Sequence, residues 1–233
     1  MRDLSVNGVQ AGIIRQLFYR ERLRFAQLNV DRVPSDQFSY HLRQLVKWGV
    51  VEKGADNQYS LTINGKDRAL MLSPKHNSFI VQGFVAVRVV LSKIENGTEY
   101  FLLQKRTMVP YKGTYGTPGD KIMFGEDVVE AAVRAMRQQT GLACDMELRG
   151  IRHIKDRFEN KLRQDKYFFV FSATNPRGKL HPVSAAGNGK NVWLSLAELE
   201  ASGRSIQGGV DILQTAKNTT LTFQEVTYDV DSY

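Results

Sequence analysis

The 233-residue sequence predicts a two-domain α/β protein, in which a small helical domain precedes a larger domain of strands and helices. Apolar residues recur at helical spacing through much of the first 50 positions, whereas apolar runs of strand length dominate after residue 79. A polar stretch around Pro74 separates the two patterns and indicates a linker. We therefore place the amino-terminal domain at residues 1–76 and the carboxy-terminal domain at residues 77–233.

The amino-terminal domain is expected to contain three helices and then a hairpin. Ile13, Ile14 and Leu17 lie on one face of the first helix. Gly49 follows the third helix, as glycine commonly does just past a helix end, and residues 54–57 favour a tight turn. The expected helices span residues 9–19, 25–28 and 35–48, and the expected strands span residues 50–53 and 58–62.

The third helix has one apolar and one polar face. Phe38, Leu42 and Leu45 fall at positions i, i+4 and i+7, so they should face the core. The other face carries Ser39, Tyr40, Arg43 and Lys47. A helix with such a face can enter a DNA major groove, which is about 12 Å wide, and can hydrogen-bond to base edges.

The stretch from Phe38 to Gly49, followed by Tyr59-Ser60-Leu61-Thr62, resembles the winged-helix domains of bacterial and archaeal regulators. That resemblance implies that double-stranded DNA is a partner and that the third helix reads bases. Arg22 and Arg24, at the second helix, and Lys53, in the hairpin, are candidate phosphate contacts that fix register. A protein-interaction module with the same fold is the alternative.

Charge and composition agree with an intracellular nucleic-acid-binding protein. The formal net charge is +8, and the first 75 residues hold 12 basic and 7 acidic side chains, as a phosphate-contacting surface requires. The printed start lacks an apolar signal core, and the single cysteine, Cys144, excludes both an internal disulfide and a thiolate metal site. We expect a cytoplasmic protein with no membrane partner.

The carboxy-terminal domain shows strands around one central helix. A loop rich in glycine and proline precedes that helix, which ends at Gly141. The tail from residue 221 to residue 233 has no clear pattern. The expected strands cover residues 79–91, 100–106, 149–154, 166–173 and 191–194, and the expected helices cover residues 126–140, 196–201 and 210–216.

The segment from Pro118 to Glu126, with the helix that ends at Gly141, resembles the Nudix box, and this resemblance implies that the carboxy-terminal domain is a Nudix-like α/β sandwich. In that family a glycine, five residues and a glutamate precede seven residues, an arginine-glutamate pair, an apolar residue, any residue, two glutamates, any residue and a glycine. Alignment on Gly141 puts the first glutamate at Glu126 and the arginine at Arg134. The three other glutamate positions fall on Ala135, Gln138 and Gln139.

These replacements remove the anionic oxygens that Mg²⁺ prefers, and the three positions share one helical face. We therefore expect no metal site, no catalytic residues and no cofactor. Glu130 and Arg134, at i and i+4, are expected to pair on the surface. The alternative is a relocated metal site, which would use Asp120, Glu126, Asp127 and Glu130.

A ligand pocket is expected to survive these losses. Arg88 projects from the strand face opposite Val85, Val87, Val89 and Leu91, so it can meet an anionic ligand together with Arg106. Structural ion pairs are the alternative role for both arginines. The candidate ligand-binding residues are Arg88, Arg106, Lys121 and Glu126. Tyr111, Phe158 and Phe168 either stack on a base or pack in the core.

Together, these features predict a homodimeric transcription regulator whose Nudix-like domain senses a nucleotide-like or phosphorylated metabolite. Fold resemblance does not fix the ligand. One alternative is an active Nudix-type nucleoside diphosphate hydrolase with an unusual set of metal ligands. Another is a scaffold that dimerises and binds no small molecule.

Overall fold

The computed structural model describes residues 7–73 and 79–230. The chain divides into two compact units, residues 1–81 and residues 82–233. The expected domain boundary between residues 76 and 77 lies outside the described residues. Within the described ranges, no helix is both long enough and apolar enough to cross a membrane.

The first unit combines four helices with a three-stranded antiparallel sheet in the order β1-β3-β2. Its three predicted helices and its hairpin are all present, with bounds that differ by at most one residue. The elements are α1 (Gly8–Arg20), β1 (Arg22–Arg24), α2 (Phe25–Leu28), α3 (Ser35–Lys47), β2 (Val51–Lys53), β3 (Gln58–Leu61) and α4 (Ile63–Ala69).

One apolar core holds this unit together. Phe38, Leu42 and Leu45 of α3 are at most 2% exposed, which confirms the predicted inner face of that helix. Asn7 caps α1, because its side chain accepts the backbone N–H of Gln10 while the Gln10 side chain accepts the N–H of Asn7. Because the apolar side of α3 faces this core, its polar side faces outward.

Two elements of the first unit were not predicted. β1 is three residues long and pairs with β3, so Arg22 and Arg24 lie on a strand directly before α2. α4 begins at the cap Thr62, whose hydroxyl accepts the N–H of Gly65. A Cβ on Gly65 would stand 2.0 Å from the carbonyl oxygen of Val50, so only glycine lets α4 approach so closely.

The second unit is an α/β sandwich whose strands follow the order β10-β5-β4-β9-β8-β11. β4 pairs in parallel with β9 through residue 91 and then antiparallel with β5. It therefore belongs both to the sheet that contains β9 and to the sheet that contains β5. The elements are β4 (Phe84–Glu95), β5 (Thr98–Arg106), β6 (Tyr115–Gly116), β7 (Gly119–Lys121), α5 (Val128–Thr140), β8 (Leu142–Phe158), β9 (Lys161–Gly178), β10 (Gly189–Ser195), α6 (Leu196–Ala201), α7 (Gly209–Thr215) and β11 (Thr222–Asp229).

Alternation along β4 divides its side chains between two cores. Val87 and Val89 pack with α5 in one core, whereas Ala86 and Val90 pack with α7 in the other. This confirms the two faces predicted for the strand, except that Val85 is 41% exposed. The cavity described below lies on the Ala86 side, where Arg88 also projects.

Several predicted bounds were wrong in the second unit. β4 starts at Phe84, α5 starts at Val128 instead of residue 126, and β8 and β9 are long strands of which only the centres were predicted. The unplaced tail forms β11, which runs parallel to β8. Its strand pattern is weak because it is an edge strand in which no described residue is fully buried. Residues 231–233 of that tail lie outside the described part.

Candidate functional site

The loop before α5 is organised around the guanidinium of Arg134. Its Nε donates to Glu126 Oε1 at 2.5 Å, and its Nη1 donates to Asp120 Oδ2 at 2.7 Å. A third nitrogen, Nη2, donates to the carbonyl oxygen of Lys121 at 2.8 Å. The predicted pairing of Arg134 with Glu130 is wrong, because these two nearer carboxylates on the loop capture the guanidinium.

Glu126 is fixed by this network and lies outside the ligand cavity. The hydrogen bond from Arg134, joined by one from the N–H of Met123, lowers the pKa of Glu126 to about 2. The carboxylate therefore stays ionised, and its charge is compensated from within the chain. Glu126 was a candidate ligand-binding residue, but the structure places it among the residues that shape the loop.

The positions of the three missing glutamates do not fit a metal ion. Ala135 is fully buried in the core against β4, and its side chain offers no oxygen. Gln139 is 7% exposed, and both its backbone oxygen and its side-chain oxygen accept a hydrogen bond from Gln104 Nε2. Gln138 is exposed, and its side-chain oxygen accepts Arg134 Nη1 at 3.3 Å.

The alternative, a relocated metal site in the loop before α5 and the first turn of that helix, does not fit a metal ion either. Asp120 and Glu126 already hold a guanidinium between them, so a divalent ion would have to displace Arg134. Within the described ranges, no group of three or more His, Cys, Asp or Glu side chains is arranged to hold a metal ion. The residues present therefore do not fit the Mg²⁺ that the Nudix box resemblance implies.

A cavity of about 410 Å³ lies between β4, β5, β7 and β9. Arg88, Arg106 and Lys121 line it together, so the structure brings three of the four candidate ligand residues to one place. Asp120 is the one carboxylate among the described lining residues, and Arg134 already binds it. The cavity therefore carries an excess of positive charge.

The two arginines are held in the cavity at an electrostatic cost. Burial, and to a lesser degree the nearby charge of Arg106, lower the pKa of Arg88 to about 10. Burial also lowers the pKa of Arg106, whose Nε donates to the carbonyl oxygen of Pro110 at 3.1 Å. No ion pair of Arg88 or Arg106 with a carboxylate occurs in the described part of the chain. An anionic ligand would relieve this repulsion.

The aromatic side chains of the cavity lie under cations. The Arg88 guanidinium stands 4.4 Å from the centroid of the Phe168 ring, and Lys121 Nζ stands 5.3 Å from the centroid of Phe84. Phe168 is 3% exposed and packs in the core, whereas Phe158 does not line the cavity. Tyr111 lines it, and its hydroxyl donates to Asp156 Oδ2 at 2.5 Å.

Sequence reasoning missed a buried ion pair, one member of which, Lys166, lines the cavity. Lys166, on β9, binds Asp156, on β8, and both side chains are at most 6% exposed. Burial lowers the pKa of Lys166, and the carboxylate of Asp156 opposes that shift. The two residues are ten positions apart on neighbouring strands, and only the register of the β8–β9 ladder brings them together.

Thr117 and Gly119 both line the cavity, and Gly119 lies next to Arg88. Thr117 is 7% exposed, and its hydroxyl has no hydrogen-bond partner among the described residues. Gly119 pairs with Arg88 across the β4–β7 ladder. A Cβ on Gly119 would lie 2.2 Å from the carbonyl oxygen of Val87 and 2.9 Å from Arg88 Nη1, so this position admits only glycine without displacement.

The first unit presents the predicted DNA-contact residues on its surface. Tyr40 is 54% exposed on α3, and Lys47 is exposed on the same side of the helix. Ser39, Arg43 and Lys53 line one shallow groove between α3 and the hairpin. These five side chains thus lie on the outer side of α3 and its adjoining hairpin.

Arg22 and Arg24 occupy a separate place on β1. Both are exposed, because the strand turns only Leu23 inward. Arg22 lies 3.9 Å from Asp56 at the tip of the hairpin, a distance typical of a weak surface pair. β1 and β2 are the two edge strands of the sheet, and β1 pairs with β3. The two arginines therefore lie on a strand beside the hairpin.

Comparisons with known proteins agree with this fold. The MutT protein of Bacillus halodurans superposes with a TM-score of 0.50 and 21% identity, covering 64% of this chain and 93% of that protein. The Nudix domain of Shewanella oneidensis NrtR, solved with ADP ribose, gives a TM-score of 0.50 and 16% identity over 65% of this chain and 95% of that one. Shewanella oneidensis NrtR with a 27mer DNA gives 0.43 and 16%, over 57% and 59%.

A comparison with curated protein sequences finds no match. Residues 84–212, which are more than half of the chain, match the NUDIX domain family. The matched range contains the cavity, the Arg134 network and α5. The chain therefore belongs to the Nudix family.

Proposed function

We propose that this protein is a DNA-binding transcription regulator whose Nudix domain binds a nucleotide-like or phosphorylated effector without hydrolysing it. One observation carries the proposal: a cavity with Arg88 and Arg106 lies beside a Nudix helix that has Ala135, Gln138 and Gln139 where the family has glutamates. Such a site retains anion binding and lacks the carboxylates for metal-assisted attack by water. The complex of the NrtR Nudix domain with ADP ribose supports a ligand of this class.

DNA binding is proposed from the first unit. The outer side of α3 carries Tyr40, Arg43 and Lys47, and the hairpin adds Lys53. These side chains suit base-edge and phosphate contacts. We further propose that the protein binds as a homodimer, since two recognition helices on a two-fold axis read two half-sites about one helical turn apart. Light scattering of the full chain, alone and with a selected duplex, tests this stoichiometry.

The ligand half of the proposal is tested by thermal unfolding of the full chain with EDTA present. ADP-ribose, AMP and several sugar phosphates serve as probes, and a bound probe should raise the Tm without added metal. Arg106→Gln should remove the rise, whereas Arg137→Gln, at an exposed position on α5, should keep it. Absence of any rise across the panel would favour a scaffold without a ligand.

The hydrolase alternative is tested by incubating the same probes with Mg²⁺ or Mn²⁺. We expect no metal-dependent cleavage of a diphosphate by the wild-type protein. Cleavage that disappears in Glu126→Gln would show that the relocated carboxylates do hold a metal ion. That result would replace the regulator proposal with an enzyme.

A further inference from the structure

We propose that the cavity takes a phosphate monoester of a polyhydroxylated sugar that carries no nucleobase. The inference rests on the proposed function, because it narrows the ligand class of the same site. It combines three features of the cavity: a cluster of cations whose one lining carboxylate among the described residues, Asp120, is already bound by Arg134, a buried hydroxyl without a hydrogen-bond partner among those residues, and aromatic rings that already contact cations.

The cation cluster calls for a ligand with two negative charges at one end. Arg88 and Arg106 lie close enough for their charges to interact, and neither pairs with a carboxylate within the described residues. Lys121 adds a third cation at the cavity edge. A terminal phosphate carries about two charges on three equivalent oxygens at neutral pH, so it can accept from several of these donors at once.

Thr117 gives independent support for a polar ligand. Its hydroxyl is buried, lines the cavity and lacks a partner among the described residues. Buried hydroxyls are normally hydrogen-bonded, so an orphan on a cavity wall indicates a group that the ligand supplies. Thr117 is also two residues from Gly119, which pairs with Arg88, so the hydroxyl lies beside the cation cluster.

The aromatic rings argue against a nucleobase. A base requires a free ring face for stacking, and Phe84, Phe168 and Tyr111 each lie under a lysine or arginine in the cavity. The other lining side chains include several amides, a group that can both donate to and accept from sugar hydroxyls, and the amides of Gln104, Gln139 and Asn188 are held in place by hydrogen bonds within the chain. The lining amides are those of Gln104, Gln139, Gln164, Asn188 and Gln207.

Calorimetry on the full chain in EDTA separates the contributions of the phosphate and the base to binding with four probes: ribose 5-phosphate, ribose, AMP and ADP-ribose. AMP adds a base to the sugar phosphate, ADP-ribose adds a nucleotide, and ribose lacks the phosphate. We expect ribose 5-phosphate to bind at least tenfold more tightly than each of the other three. Its affinity should also fall severalfold from pH 8 to pH 5, because the second phosphate pKa is about 6.

Two variants and a control locate the binding. Arg88→Gln should weaken ribose 5-phosphate binding about 10- to 100-fold, which is the usual effect of losing a charged hydrogen-bond donor. Thr117→Val should weaken it severalfold while leaving the unfolding midpoint unchanged or higher, because the buried hydroxyl has no partner to lose. Arg137→Gln, on the exposed side of α5, should bind as wild type does.

The outcomes separate this inference from the proposed function. Equal or tighter binding of AMP or ADP-ribose would overturn the sugar phosphate class and leave the regulator proposal standing. No binding by any phosphorylated probe would overturn this inference and also remove the support for an effector. Binding of ribose 5-phosphate that Arg88→Gln and Thr117→Val both leave unchanged would place the ligand elsewhere and overturn the assignment of the cavity.

Discussion

Ala135→Glu, which returns the first of the missing glutamates, should destabilise the second unit severely. Ala135 is fully buried beside Met136 and Val89, so the longer side chain has no space. Overpacking of a core costs about 1–3 kcal/mol. Burial commonly raises a glutamate pKa by several units, and each unit adds about 1.4 kcal/mol at neutral pH. We expect a total loss of about 3–6 kcal/mol, against a typical stability of about 5–15 kcal/mol.

Urea unfolding of the full chain in a Trp48→Phe background, in which Trp193 of the second unit is the remaining tryptophan, measures this loss by fluorescence. Gln138→Glu is the matched control, because the same change at an exposed position should shift stability by less than about 0.5 kcal/mol. A carboxyl with a raised folded-state pKa destabilises only above its unfolded pKa of about 4.3, so the loss from Ala135→Glu should be smaller at pH 4 than at pH 8. An unchanged midpoint at both pH values would refute the packing of α5 described above.

Three further outcomes are expected. Gly119→Ala should lower stability by about 1–3 kcal/mol in urea unfolding, because its Cβ meets a β4 carbonyl at 2.2 Å, whereas Gly8→Ala meets nothing within 4 Å. Glu126→Gln should lower stability at pH 7; since the pKa of Glu126 is lowered to about 2, this difference should shrink as the pH falls from about 4.5 to 2. In anisotropy titrations, Arg43→Ala should reduce sequence preference, whereas Lys53→Ala should weaken all duplexes alike and reduce the salt slope by about one.

Local patterns predicted the first three helices and the hairpin of the first unit, but neither β1 nor α4. Its helices have clear apolar faces, and Gly49, with a φ of +66°, ends α3 as the sequence predicted. β1 was not predicted because the pattern Arg22-Leu23-Arg24 is too short to distinguish a strand from a loop. Only its pairing with β3 makes this segment a strand. The candidate DNA-contact residues on α3 followed from the same helical periodicity, and the roles of all the candidates stay predictions.

The second unit shows where such reasoning ends. Arg88 and Arg106 were chosen from strand alternation and family resemblance, and the structure does place both in one cavity. The capture of Arg134 by Asp120, fourteen positions away, depends on the path of a loop that no periodicity describes. In the same way, the pairing of Lys166 with another strand depends on long-range register, which sequence spacing alone does not set.

The most direct test of the account is the ratio of affinities of the full chain for a selected duplex and for random DNA of the same length. Selection from a random library provides the duplex, and anisotropy at physiological salt gives both Kd values. The account predicts a ratio of about 10³ or more, in the range of sequence-specific regulators, with a large loss in Arg43→Ala. Equal affinity for both duplexes would contradict a transcription regulator, whatever ligand the Nudix domain binds.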